Sequence, residues 1–211
     1  MSASSDEEQA LICIPDITGF TRFMAENDIE FSRKIIPPLL RNIVGTNTLG
    51  LKVGEVEGDA VLFYRFGALP PLSELIEQCK NFYFNFNEQL ESLQNEFADD
   101  FHKNVSSNRL CLKIIVHAAE MTSTFIEGIT KLIGEDVVVV HKLLKNSIKD
   151  PEYILVSEKL LANYTKEEIS SVFNWAELEQ GQDEYEFIGT IKYRYISFEP
   201  LIKKAIEKPK K

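Results

Sequence analysis

Five apolar residues in a row, ALICI at 10–14, run into Pro15 and Asp16. A short unbroken apolar run bounded by such residues predicts a buried strand. Helical spacing follows at about 20–25 and again over 29–44, where Pro37 and Pro38 should kink or restart the helix. The segment 49–66, LGLKVGEVEGDAVLFYRF, predicts a hairpin turning at Glu57-Gly58-Asp59, with AVLFYRF as the return strand. Leu75, Ile76, Cys79, Phe82, Phe86, Leu90 and Leu93 recur at steps of three and four and predict a long helix over 72–97. A polar loop is expected over 97–109, then a strong strand over 110–119 and a strand pair or excursion over 121–134. A helix opens near Asp136 and ends near Asn146, a strand covers 153–157, a helix 158–164, and a closing strand region 186–199.

Helices interleaved with strands, with a hairpin among them, predict an α+β fold. The expected architecture is a ferredoxin-like sandwich, a central, mostly antiparallel sheet flanked by helices. Residues 1–9 are expected to be a disordered lead, 10–200 a single domain, and 201–211 a lysine-rich tail best explained as solvated.

Charge and cysteine content narrow the partners. The chain of 211 residues carries a net charge of −10, which opposes general nucleic-acid binding because phosphate contacts need a basic field. A small anion held through metal ions stays compatible with that charge. Cys13, Cys79 and Cys111 are odd in number and lack CxxC spacing, so neither a disulfide framework nor a zinc site is expected. The acidic start MSASSDEEQ does not read as a signal peptide, and no apolar stretch approaches the roughly 20 residues of a membrane helix. The expectation is a cytoplasmic protein without membrane attachment.

Asp16 at the end of the first strand and Asp59 past the hairpin turn are the candidate chemistry. On the expected fold these two points approach each other, and two carboxylates there repel unless a cation lies between them. Carboxylate, carbonyl and phosphate oxygens are the ligands that Mg²⁺ or Mn²⁺ prefers. Gly50 and Gly54, four apart on one expected strand, would leave one face open. The bland alternative is that Asp16 caps a helix and Asp59 belongs to a turn.

The motifs themselves are similar to a known family. IPDITGFTRFM (14–24) resembles the first strand and turn of class III nucleotidyl cyclase catalytic domains, and EVEGDAVLFY (55–64) their hairpin. LKIIVHAAE (112–120) resembles the next core strand. LIGEDVVVVHKLLKNS (132–147) stands where that family has a glycine followed by a helix, and YILVSEKLL (153–161) and FIGTIKYRYISFE (187–199) resemble its last two strand segments. The likeness runs from Leu11 to Glu199 in order, and the chain looks similar to a divergent bacterial branch of that superfamily.

The resemblance implies a site. Two aspartates and one strand-end carbonyl hold two divalent ions in the family, here Asp16, Asp59 and the Ile17 carbonyl. One ion activates the ribose 3′-hydroxyl for attack on the α-phosphate, and the other holds the triphosphate. The amides around Thr18, Gly19, Phe20 and Thr21 would cradle phosphate at a helix start. Glu55 stands at the base-selecting position and is guanine-like, since a carboxylate accepts from guanine's N1–H and amino group. Its partner position is Lys131, which either donates to a base carbonyl or simply pairs with Glu55 and closes the pocket. The family's ribose-orienting asparagine falls on Val138 and its transition-state arginine on Lys142, a charge without the planar fork. No lysine adjoins Gly189, where a triphosphate lysine would be sought, and Lys192 is a weak stand-in. His117 reads as a satisfied core histidine and His141 as an occasional replacement donor; Cys13 and Cys111 read as packing residues.

Three readings follow. The first is a divergent cyclase-homology domain that keeps a two-aspartate metal site, binds a nucleotide and has little or no cyclase activity. The second is an active nucleotidyl cyclase using GTP or another nucleoside triphosphate. The third is a non-catalytic interaction domain. The first two imply a homodimer, with the metal aspartates from one protomer and the helix residues from the other.

Overall fold

The computed structural model describes residues 7–103 and 110–202. The strands are β1 (Glu8–Thr18), β2 (Lys52–Glu57), β3 (Ala60–Phe66), β4 (Cys111–Ile126), β5 (Ile129–Ile133), β6 (Tyr153–Ser157), β7 (Glu179–Tyr185) and β8 (Gly189–Ser197). The helices are α1 (Phe20–Glu26), α2 (Ile29–Gly45), α3 (Leu72–Glu96), α4 (Ala98–Lys103), α5 (Glu135–Leu143), α6 (Glu158–Leu161) and α7 (Lys166–Val172). The sheet runs β2-β3-β1-β4-β6-β8-β7, with β5 paired to β4 alone. Among the described residues only β4 and β6 are parallel neighbours, so the expected mostly antiparallel α+β sheet is found.

The first strand explains its own composition. Leu11, Cys13 and Ile17 enter one core, beneath α2 and α3, while Ala10, Ile12 and Ile14 enter a second core beneath α5. A strand covered on both faces carries an apolar run rather than an alternation. By the same alternation Asp16 shares the face of Ile14, the side on which α5 packs. Lys113, Ile115 and His117 of β4 share that face too.

Several expectations need correction. α2 continues through Pro37 and Pro38 as one helix. The two prolines remove two intrahelical donors, but Phe31, Ile35, Ile36, Leu39 and Ile43 bury a continuous stripe that holds the helix together. Gly50 precedes β2 in a left-handed conformation, so it shares no strand face with Gly54. At Gly54 a Cβ would lie 2.9 Å from Leu62, beside an irregularity in the β2–β3 register between Val53 and Glu55. The strand over 110–119 and the start of the excursion are one strand of 16 residues.

Ala98–Lys103 is helical within the stretch expected to be a loop, and 104–109 lie outside the described residues. α7 and β7 had no counterpart in the sequence reading. Glu8 and Gln9 already pair with β4, while the rest of the expected lead, 1–6, and the tail from 203 onward lie outside the described residues. No helix among the described residues is long and apolar enough to cross a membrane.

Candidate functional site

The tight β2–β3 turn sets Asp59 against β1. Glu57 pairs with Ala60, leaving Gly58 and Asp59 as the turn, with Gly58 at φ 60°. Asp16 pairs in register with Ala60, and the Ile17 N–H donates to the Asp59 carbonyl at 2.9 Å. The two carboxyl groups lie near enough to influence each other's ionisation. Burial pushes the Asp16 pKa up to about 6, Lys113 opposes the rise, and Asp59 adds to it. Burial also raises the Asp59 pKa.

Lys113 was missed in the sequence. It is the register partner of Asp16 across the β1–β4 ladder. Its Nζ lies 3.4 Å from Asp16 Oδ2 and donates to the Leu144 carbonyl at 2.8 Å. A lysine inside the apolar strand LCLKIIV was the available signal: a charge in such a strand needs an opposite charge nearby.

The aspartates line a cavity of about 640 Å³. Ile14, Ala60 and Leu62 give it apolar lining, and Glu55, Glu57 and Thr21 line it as well. His141, Lys142 and Lys145 line it from the end of α5 and just beyond. Asp16, Asp59 and Lys142 therefore meet in one cavity within a single chain. Val138 is exposed on α5 and is not among the cavity's lining residues.

The other anticipated residues fall as follows. Gly19 precedes α1 at φ 88° and Phe20 packs on the core beneath α2 and α3. Thr18 Oγ1 is buried with no hydrogen-bond partner among the described residues. The Ile17 side chain is fully buried. Glu55 and Lys131 bind each other, Nζ to Oε1, joining β2 to β5. Lys192 lines a separate cavity with His117 and Lys159.

His117 is a satisfied core histidine. Its Nδ1 bonds Ser157 Oγ at 2.8 Å and its Nε2 bonds Asp136 Oδ1 at 2.9 Å. Asp136 Oδ2 accepts from the Glu120 N–H at 2.7 Å and from Lys159 Nζ at 2.6 Å. Burial works to raise the Asp136 pKa, but these bonds prevail and hold it well below the usual carboxylate range. The network fastens the first turn of α5 to β4, and so fixes the helix whose far end reaches the cavity.

The carboxylate pair suits a hard divalent cation in kind: two acidic oxygen donors at close range, one of them buried. In number it is sparse. No group of three or more His, Cys, Asp or Glu side chains able to hold a metal occurs among the described residues. The remaining coordination would have to come from main-chain carbonyls, water and ligand oxygens, the mixed shell that Mg²⁺ usually keeps.

Residues 36–153 match a family model described as a protein of unknown function, DUF2652. The chain belongs to that family. The match takes in Glu55, Asp59, Lys113, Lys131 and Lys142 and begins after Asp16. The uncharacterized protein Rv2561/Rv2562 of Mycobacterium tuberculosis is 24% identical over 109 residues, 52% of this chain and 51% of its own length. The chain thus spans about half the length of the curated relative it matches.

Among solved structures, the guanylyl cyclase Cya2 superposes with a TM-score of 0.65 at 14% identity, over 90% of this chain and 92% of that one. The adenylyl cyclase CyaB from P. aeruginosa gives 0.61 at 12%, over 90% and 95%. The guanylate cyclase domain of RhGC from Catenaria anguillulae, solved in complex with GTP, gives 0.60 at 14%, over 90% and 97%. The fold is that of class III nucleotidyl cyclase catalytic domains.

Proposed function

We propose that this cyclase-fold domain binds a nucleotide together with Mg²⁺ or Mn²⁺ at Asp16 and Asp59 and forms little or no cyclic product. The observation that carries the reading is the meeting of those two carboxylates with Lys142 and Lys145 in the lining of one cavity. The acidic groups suit the cation, and the basic ones suit phosphate oxygens. Thr21 also lines the cavity, within the stretch proposed to approach phosphate.

A bound divalent ion would supply Lewis-acid activation of a hydroxyl and neutralise phosphate charge. The chain's own residues do less for the chemical step. Lys142 is an exposed point charge without arginine's fork. Val138 offers no hydrogen bond to a ribose. Losing one preorganised transition-state donor costs roughly 10²–10³ in rate in comparable sites.

The reading includes a homodimer. Phe125, Ile126 and Ile129 stand exposed on the β4–β5 arm, Phe125 at 72%. It also includes the cytoplasm, in keeping with the buried thiols of Cys13 and Cys79. The test is incubation of purified protein with each nucleoside triphosphate and Mn²⁺, with mass detection of cyclic products and Asp59→Ala as control. Metal-dependent binding without product supports the reading. Product from wild type but not from the control replaces it with a working cyclase, and absence of both signals leaves an interaction domain.

A further inference from the structure

We propose that the cavity recognises the metal-chelated phosphate chain of its ligand and is indifferent to the base. Inorganic triphosphate and any nucleoside triphosphate would then be held alike. This rests on the metal–nucleotide reading above and narrows it.

A nucleobase is read in two ways, by stacking on a ring or by polar groups fixed against its edge. The cavity offers little of either. Among the described residues no phenylalanine, tyrosine or tryptophan lines it, and its apolar lining is aliphatic. Its one ring is the His141 imidazole, which stands beside Lys142 in the last turn of α5, among the cations. Among the described residues Thr21 is the one hydroxyl or amide side chain in the lining.

Glu55 is the lining carboxylate farthest in role from the Asp16–Asp59 pair, and the side chain suited to an edge with two donors. Its Oε1 is taken by Lys131 Nζ. Opening that pair to admit a base would give up a charge-assisted bond before any new one formed.

Charge supplies what recognition remains. Asp16, Glu55, Glu57 and Asp59 repel an unchelated polyphosphate, so a divalent cation has to accompany it. Lys142 and Lys145 then meet phosphate oxygens as flexible point charges, which count charge rather than read shape. A site built around base-edge hydrogen bonds rejects a mismatched ligand by about 10⁴-fold or more, and such bonds are what this cavity lacks.

The test is calorimetric titration of wild-type protein with ATP, GTP, CTP, UTP and inorganic triphosphate, each with and without Mn²⁺. The expected result is metal-dependent binding, with all five dissociation constants within about tenfold. A nucleotide that binds more than about tenfold tighter than inorganic triphosphate overturns base indifference and leaves the metal–nucleotide reading standing. Equal binding without Mn²⁺ overturns the chelate. No binding of any of the five, with Mn²⁺ present, removes the metal–nucleotide reading and this inference with it. In Lys131→Met, Glu55 is released, and a preference for GTP over ATP of several-fold should emerge. An unchanged ratio overturns the assignment of Glu55 as a base reader silenced by its partner.

Discussion

Lys113 and Asp16 face each other across the β1–β4 ladder, ammonium nitrogen to carboxylate oxygen at 3.4 Å. The lysine is the protein's own countercharge at the point where an external cation would sit. Lys113→Met leaves the ionised Asp16 without it. The variant should lose about 1–3 kcal/mol of stability at pH 8. Millimolar Mn²⁺ should restore more of the melting temperature in the variant than it adds to wild type. A thermal-shift series with and without Mn²⁺ measures both, and an equal Mn²⁺ effect in the two proteins counts against a shared cation position.

Asp16 titrates unusually high for an aspartate, at about 6 against an ordinary 3.8. The raised value means the folded state binds a proton more tightly than the unfolded state does. That contribution to stability is complete below pH 3.8 and is lost as pH rises through 6. Asp16→Asn removes the ionisation cost, so it should stabilise the metal-free protein at pH 8 by roughly 2 kcal/mol and by almost nothing at pH 4. Urea denaturation at the two pH values checks this. Wild-type Mn²⁺ affinity should also rise about tenfold between pH 5 and pH 7.5, as the carboxyl sheds its proton.

Asp136 behaves in the opposite sense. Its carboxyl is held below the usual range, so its contribution is present above the ordinary aspartate value and is lost as pH falls beneath it. Asp136→Asn weakens the bonds to His117 and Lys159 and should cost about 2–4 kcal/mol at pH 7. The deficit against wild type should shrink on acidification toward pH 3. Chemical denaturation across that interval is the measurement; a pH-independent deficit would falsify the electrostatic account.

Phe125 and Ile129 sit on opposite strands of the β4–β5 arm, both largely exposed. If the arm carries the homodimer, Phe125→Ser should weaken association by tenfold or more, the scale of a buried aromatic anchor. Sedimentation velocity over a concentration series reads it, with circular dichroism to verify the fold. An unchanged association constant excludes the arm as the contact.

Much of the architecture was legible because burial writes itself into periodicity. The run ALICI and the spacing from Leu75 to Leu93 gave β1 and α3. β7 was illegible because its sequence, EQGQDEY, has no apolar alternation. Its position depends on β8, where Tyr193 covers Gly181 so closely that a Cβ would lie 2.3 Å from the ring. α7 buries only Ile169, but its capping box of Thr165 and Glu168 was a readable start signal. At the site, Asp16 and Asp59 were both visible, one by its apolar lead-in and the other by its turn. The Lys113 contact depends on strand register, and the Glu55–Lys131 pair joins strands far apart in sequence, so local pattern reveals neither geometry.

The two outermost strands of the sheet, β2 and β7, are also among its most polar. Glu179, Asp183 and Glu184 lie along one border, and Lys52, Glu55 and Glu57 along the other, where the ladder is broken between Val53 and Glu55. A strand arriving from another molecule would meet a row of carboxylates on one side and a mismatched hydrogen-bonding row on the other. Crowded copies of this chain are therefore steered away from fibril-like growth at the sheet's margins.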